Sequence, residues 1–126
     1  MHSIRNSVIA VFLLSTTAAT SALAETYRWG AIAVDTEKAE KQPAWGTGGS
    51  ETEQDAIDIA VKFCTDAGGA VCKAMVSYEQ CGALAVDGKG SAGWGKGPTK
   101  AGTEKQALTG CGADDCSVVV SDCTAE

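Results

Sequence analysis

Small and branched side chains alternate along two stretches of the chain that lie about fifty residues apart. Residues 30–35 read Gly-Ala-Ile-Ala-Val-Asp, and residues 82–87 read Gly-Ala-Leu-Ala-Val-Asp, an offset of 52. Such alternation is typical of a strand that packs closely on one face and carries larger side chains on the other. The pattern predicts strands near 27–35 and 82–87.

A glycine-rich segment with a tryptophan and then a helical pattern follow each of these strands. The glycines favour a loop, and the helices are predicted near 51–66 and 103–110. Apolar residues of the first helix fall on one stripe at the helical repeat. The second helix is expected to be about one turn shorter, which keeps its cysteine on the same face.

Each predicted helix begins at a hydroxyl residue that is followed three positions later by an acid or amide. In the first copy the pair is Ser50 with Glu53 or Thr52 with Asp55, and in the second it is Thr103 with Gln106.

The blocks recur in the same order, which indicates a tandem duplication. Trp45-Gly46 returns as Trp94-Gly95, and further strands are predicted near 70–78 and 116–122. The sequence therefore predicts an α+β fold. Two tandem β-α-β pseudo-repeats, about 27–78 and 79–123, would form a small disulfide-stapled domain with a mixed or antiparallel sheet.

The first residues have the three-part layout of a secretory signal peptide. Arg5 precedes the apolar run 8–14, and small residues follow up to Ala24. Because the run is too short to cross a bilayer, we expect a cleaved signal peptide over 1–24 and a single domain over 25–126. The mature protein is expected in the periplasm or outside the cell, detached from the membrane and monomeric.

Removal of the signal peptide also removes His2, the one histidine of the chain. The remaining 102 residues (126 less 24) carry 9 basic and 16 acidic side chains, a net charge of −7. Without imidazole, Ser–His and Cys–His catalysis and most zinc or copper sites are excluded, and no metal or cofactor is expected. The negative charge argues against nucleic acid. It is compatible with a cationic protein partner, but a role in solubility alone is the favoured interpretation.

The remaining cysteines are even in number, as in disulfide-bonded exported domains. They are Cys64, Cys72, Cys81, Cys111, Cys116 and Cys123. Six cysteines allow 15 pairings. The repeat favours Cys64–Cys72 and Cys111–Cys116 as equivalent bridges, and it leaves Cys81–Cys123 as the third.

The order β-α-β-β-α-β is also that of the ferredoxin-like fold. In that fold the third and fourth predicted strands would be about 10 Å apart, whereas a disulfide needs Cα atoms within about 7 Å. The Cys81–Cys123 bridge therefore conflicts with a ferredoxin-like sheet. We favour the bridge and leave the strand order open.

The chain resembles the bacterial domain-of-unknown-function family 4189, whose members are short exported proteins with cysteines. The resemblance rests on residues 29–33 and 81–86, on the helix that ends in Cys64, and on Cys72 beyond it. It covers roughly 27–123. It implies an exported, disulfide-bonded α+β domain, and it supplies no activity and no catalytic residue.

Trp45 and Trp94 are the best binding candidates, because tryptophans on loops are enriched in interface hot spots and can stack on sugar rings. The favoured interpretation is nevertheless that each tryptophan covers the core of its own half. Trp29 aligns with Cys81 and is expected to pack where the other half has a bridge.

Asp35 and Asp87 end the two repeated strands and could form a carboxylate pair of the kind used in glycoside hydrolysis. Aspartate is also a common turn residue after a strand, which is the favoured interpretation. Segment 46–50 precedes a helix as anion-binding loops do, but acidic residues follow it. Segment 93–98 lacks the phosphate-loop spacing and is predicted to be a plain loop.

Three functions agree with these features. The first is a non-enzymatic protein-interaction domain of the inhibitor or immunity type. The second is a cell-wall or carbohydrate-associated module that uses Trp45 and Trp94. The third is a small acid-dependent hydrolase that uses Asp35 and Asp87.

Overall fold

Eight elements follow one another in two series of the same order. The computed structural model describes residues 27–37 and 42–125, so the predicted signal peptide 1–24 and its junction with residue 25 lie outside the described residues. The elements are β1 (Trp29–Val34), β2 (Trp45–Ser50), α1 (Glu53–Asp66), β3 (Lys73–Tyr78), β4 (Cys81–Val86), β5 (Ala92–Gly97), α2 (Lys100–Cys111) and β6 (Ser117–Cys123).

The strands form two antiparallel sheets of three strands each. The first has the order β2-β1-β3 and the second the order β5-β4-β6. The predicted α+β class with antiparallel sheet and three disulfides is confirmed. The two glycine-rich segments, however, are strands β2 and β5 and not loops, so each unit reads β-β-α-β.

The glycines of β2 lie where a helix backbone touches the strand. A Cβ atom at Gly46 would overlap the backbone of Ala60 and Cys64, and one at Gly48 would overlap the backbone of Ala56 and Ala60. Any larger residue would push α1 off the sheet. A sequence that usually marks a loop therefore forms a strand here, because glycine is the one residue that permits this approach.

The second unit repeats this contact. A Cβ atom at Gly93 would overlap the backbone of Ala107 and Cys111, and one at Gly95 would overlap Thr103. Gly46 is thus equivalent to Gly93, and Gly48 to Gly95, an offset of 47.

Side chains alternate between two faces along the central strands β1 and β4, and each face packs against a different layer. Ala31 and Ala33 face α1, and Ala83 and Ala85 face α2. The larger side chains between them meet in one core between the sheets, formed by Ile32, Val34, Val76, Tyr78, Leu84 and Val86. The layers therefore run α1, first sheet, second sheet, α2.

The two helices begin at equivalent threonines. The Thr52 hydroxyl accepts a hydrogen bond from the Asp55 backbone N–H at 3.2 Å, and the Thr99 hydroxyl accepts one from Gly102 at 3.1 Å. The predicted cap Thr52 is correct, but Thr103 is wrong as a cap, because it is a buried residue inside α2.

The expected loss of a helical turn is also wrong. Each helix has 12 residues from its first position to its cysteine, Glu53 to Cys64 and Lys100 to Cys111, and α1 continues two residues further. The second unit is shorter in the connection between its first two strands. Residues 87–91 join β4 to β5, whereas residues 35–44 join β1 to β2.

The disulfides are the three pairs that the repeat favours: Cys64–Cys72, Cys111–Cys116 and Cys81–Cys123. Cys81 and Cys123 are direct partners in the pairing of β4 with β6, with Cα atoms 4.0 Å apart. Since β4 and β6 are neighbours, the sheet is not ferredoxin-like. The bridge closes the last strand onto the centre of its sheet.

We expect Gly48→Ala to lower the free energy of unfolding by about 2–3 kcal/mol, because overpacking a close contact forces the backbone apart. Gly97→Ala is the matched control, since the nearest atom to a Cβ there is Gln106 Nε2 at 3.7 Å. It should change stability by less than about 0.5 kcal/mol. Urea unfolding followed by circular dichroism measures both, and equal effects would contradict the packing described.

Candidate functional site

Trp45 and Trp94 lie on strands and are 37% and 45% exposed. They do not occupy equivalent positions, which corrects the sequence alignment. Trp45 pairs with Val34, whose counterpart Val86 pairs with Ala92. Trp94 pairs with Leu84 and therefore corresponds to Thr47, two residues along the strand.

The two tryptophans also lie at opposite edges of the stacked sheets. Strand β5 contacts β3 across the space between the sheets. Because β3 and β2 are the two edges of the first sheet, β2 lies away from β5. Trp45 on β2 and Trp94 on β5 therefore do not form one aromatic surface.

A cleft of about 490 Å³ lies beside Trp45. It is lined by Gln42, Pro43, Ala44, Trp45, Ala67 and Gly68. Ala67 and Gly68 follow the last residue of α1, so the carbonyl end of that helix contributes to the wall of the cleft. This end carries partial negative charge, and α1 has no basic residue in its last turn to offset it.

Exposed charge on and beside α1 is mostly negative. Five acids and one lysine are exposed there: Glu51, Glu53, Asp55, Asp58, Asp66 and Lys62. The last turns of α1 also expose Phe63, at 54% of its surface. The end of α1 that borders the Trp45 cleft therefore exposes both an aromatic ring and an acid, Asp66.

The predicted carboxylate pair consists of two turn residues. Asp35 is 4% exposed, and its carboxylate accepts hydrogen bonds from the backbone N–H groups of Glu37, Ala70 and Val71. Asp87 accepts them from Lys89 and Ser91 at 2.7 and 2.9 Å.

The hydrogen bond from the Lys89 backbone holds the pKa of Asp87 below its ordinary value. Each carboxylate therefore fixes backbone after a strand, which agrees with the favoured interpretation.

The two glycine-rich segments that were considered as phosphate-binding loops are both parts of strands. Segment 46–50 lies within β2, and 93–97 lies within β5. Their glycines accommodate helix backbones, so neither segment is the loop that the sequence predicted.

Tyr78 forms a contact that the sequence analysis missed. Its ring lies over Gly30 of β1 and Gly82 of β4, the first glycine of each repeated block. Its hydroxyl donates a hydrogen bond to Asp122 Oδ2 at 2.7 Å. Tyr78 pairs with Gly30 and Asp122 with Gly82, so the two residues are equivalents that bond to each other across the sheets.

A smaller cleft of about 260 Å³ adjoins this ring. Trp29 and Lys96 are among its lining residues, with Glu79 and Gln80 of the turn between β3 and β4. Thr124 closes that turn from the other side, since its hydroxyl donates to Glu79 O at 2.6 Å. The cleft thus lies where the two units join.

Comparison with known protein families shows a match over almost all of the described chain. The family model "Domain of unknown function (DUF4189)" matches residues 29–123, which span every element from β1 to β6. The chain belongs to the DUF4189 family. No curated protein and no solved structure matches it significantly.

All six cysteines of this DUF4189 domain are paired. Three disulfides in so short a domain indicate an oxidising, exported environment. Among the described residues, neither helix has the length and apolar character that crossing a membrane requires.

We expect alkaline pH to destabilise the DUF4189 domain through Tyr78. Burial, and then the hydrogen bond and charge of Asp122, raise the pKa of this phenol above its ordinary value near 10. The stabilisation is therefore complete below about pH 10 and is lost as the pH rises further, by up to about 1.4 kcal/mol per pH unit.

Urea unfolding from about pH 8 to about pH 11 measures this loss. Tyr78→Phe is the control, because it keeps the ring over Gly30 and Gly82 and removes the titrating group. The variant should lose less stability above pH 10 than the parent. Equal pH dependence in the two proteins would contradict the assignment.

Proposed function

We propose that this protein is an exported, non-enzymatic interaction domain of the inhibitor or immunity type, and that its partner is a cationic protein. The observation that carries the proposal is the Trp45 cleft. Trp45, whose side chain is partly exposed, and the carbonyl end of α1 line the same cleft, and no basic residue in the last turn of α1 offsets the charge of that end.

A lysine or arginine side chain of the partner fits this cleft chemically. Its charge would interact with the face of the Trp45 indole, a contact worth about 0.5–1 kcal/mol when exposed and about 2 kcal/mol when desolvated. The helix end adds about 0.3–1 kcal/mol. Phe63, 54% exposed beside the cleft, offers apolar area to the stem of the same residue.

Charge outside the cleft favours the same partner. The full chain has a net charge of −6, and the acids exposed on α1 concentrate negative charge near the cleft. Such a surface accelerates encounter with a cationic protein and makes association sensitive to salt.

The positions of the two carboxylates give both of them a structural use. Asp87 accepts hydrogen bonds from backbone N–H groups in its own turn. Asp35 accepts one from Glu37 in its own turn and two from Ala70 and Val71 in the segment between α1 and β3. Both side chains thus shape the loops that follow β1 and β4. This is the ordinary structural use of aspartate at a strand end.

A carbohydrate-associated module is the second candidate, and Trp94 favours it. Its side chain is 45% exposed on edge strand β5, so it would act as a single stacking platform away from the Trp45 cleft. Titration of indole fluorescence with peptidoglycan fragments tests it, and a response that Trp94→Ala abolishes would favour this candidate over the first.

The interaction proposal predicts a partner that the protein retains at low salt and releases at high salt. We expect Trp45→Ala to weaken retention at least about tenfold, the loss of about 1.4 kcal/mol. Pull-down of exported proteins from the host with the immobilised domain, followed by a binding titration with the recovered partner, measures this effect.

Trp94→Ala is the matched control, because it removes an indole of similar exposure from the opposite edge. It should leave retention unchanged. The absence of any salt-sensitive partner, or equal loss in both variants, would contradict the proposal.

A further inference from the structure

The pairing of β2 with β1 determines which backbone groups of β2 point toward the outer edge of the sheet. Asp35 N–H donates to Ala44 O at 2.9 Å, which makes these two residues a hydrogen-bonded pair. Because such pairs alternate in antiparallel sheets, Gly46 and Gly48 also direct their N–H and C=O groups toward β1. The groups of Trp45, Thr47 and Gly49 therefore point outward.

The equivalent edge of the second unit is partly closed. Asp87 N–H donates to Ser91 O at 3.2 Å, so the same alternation directs the groups of Lys96 outward. The Lys96 N–H then donates to Gln106 Oε1 at 3.2 Å. A side chain of α2 thus occupies the place of a further strand.

The first unit lacks this side-chain cap. Ile59 occupies the α1 position equivalent to Gln106, at the offset of 47 that relates the two helices, and its Cβ lies beside Gly48. Isoleucine cannot accept a hydrogen bond from Gly49, the counterpart of Lys96. Within residues 27–37 and 42–125, no side chain bonds to the backbone of Trp45, Thr47 or Gly49.

The side chains along this edge define what it can bind. Ile59 and Phe63 lie one helical turn apart on the β2 side of α1. Asp55 precedes Ile59 by four residues and Asp66 follows Phe63 by three, so the same stripe carries acids at both ends. An extended segment complements this stripe when every second side chain faces α1 and those side chains are basic, apolar, apolar and basic in order.

We propose that the outer edge of β2 binds an extended cationic segment of the partner as a fourth strand of the first sheet. This inference rests on the proposed function and names its binding site. The three outward residues offer three N–H and three C=O groups to the added strand. The Trp45 cleft lies at one end of the same edge and receives a basic side chain of that segment.

Charge decides between this segment and a second copy of the chain. Pairing of β2 with β2 of another copy would bring Asp55 and Asp66 of both copies together, and like charges in close contact are unfavourable. A basic segment reverses the sign of that interaction.

The test uses a synthetic peptide of about eight residues in which every second residue reads lysine, valine, valine, lysine and threonine fills the positions between them. Binding should protect the amides of Trp45, Thr47 and Gly49 from hydrogen exchange, because these amides acquire acceptors. In the free protein, Gly49 should exchange faster than Lys96, whose N–H is already bonded. Equal protection of the two amides in the free protein would overturn the inference.

Ile59→Gln copies the cap of the second unit and should weaken peptide binding at least about tenfold. Gln106→Ile opens the β5 edge and is the matched control, which should leave protection of the β2 amides unchanged. The same peptide with glutamate in place of both lysines should not bind. Binding that Ile59→Gln leaves intact, or absence of binding by the lysine peptide, would refute the edge site.

The outcomes separate this inference from the function on which it rests. If a cationic partner binds and loses affinity with Trp45→Ala but not with Ile59→Gln, the edge inference fails and the proposed function stands. If sedimentation shows concentration-dependent dimers that Ile59→Gln abolishes, the occupant is a second copy and the inference is overturned.

Discussion

The direct contact of each helix backbone with a strand of glycines is the constraint on which the rest of the structure depends. Gly46 and Gly48 hold α1, and Gly93 and Gly95 hold α2. Only alanine, cysteine and threonine fit among the buried residues of these helices, so the helix–sheet layers bury small side chains. The larger apolar residues therefore lie in the single core between the sheets. Three disulfides, each worth about 2–4 kcal/mol, add stability to this small domain.

This constraint also explains how far the sequence could predict the fold. Alternation along β1 and β4 predicted both central strands, and the cysteine order favoured the observed bridges. The edge strands were missed because glycine is both a loop signal and the residue that a close helix contact requires. The helix alignment was wrong by four residues, since Ala107 and Leu108 resemble Ala56 and Ile57 and a shift of one turn preserves the buried face.

The tryptophans were also misaligned because of a sequence period, here the two-residue period of a strand. Gly46 and Gly48 alternate with other residues in β2, as Gly93, Gly95 and Gly97 do in β5, and a shift of two residues keeps every side chain on its face. Matching Trp45-Gly46 to Trp94-Gly95 was therefore as plausible in sequence as the true register. The Tyr78–Asp122 contact gave no sequence signal, because an aromatic residue and an acid at equivalent positions look like divergence and not like a bond.

Divergence between the copies bears on which half would bind the proposed partner. At positions that share a backbone environment, the second unit has Gln106 and Gly110 where the first has Ile59 and Phe63. In the second unit these residues close an edge and remove an apolar side chain. In the first they leave the edge open and expose a large ring beside the Trp45 cleft. An open, apolar edge strand is a liability for aggregation that proteins ordinarily blunt. Its retention in one copy, when the other shows that a single residue suffices to cap it, favours the first unit as the binding half.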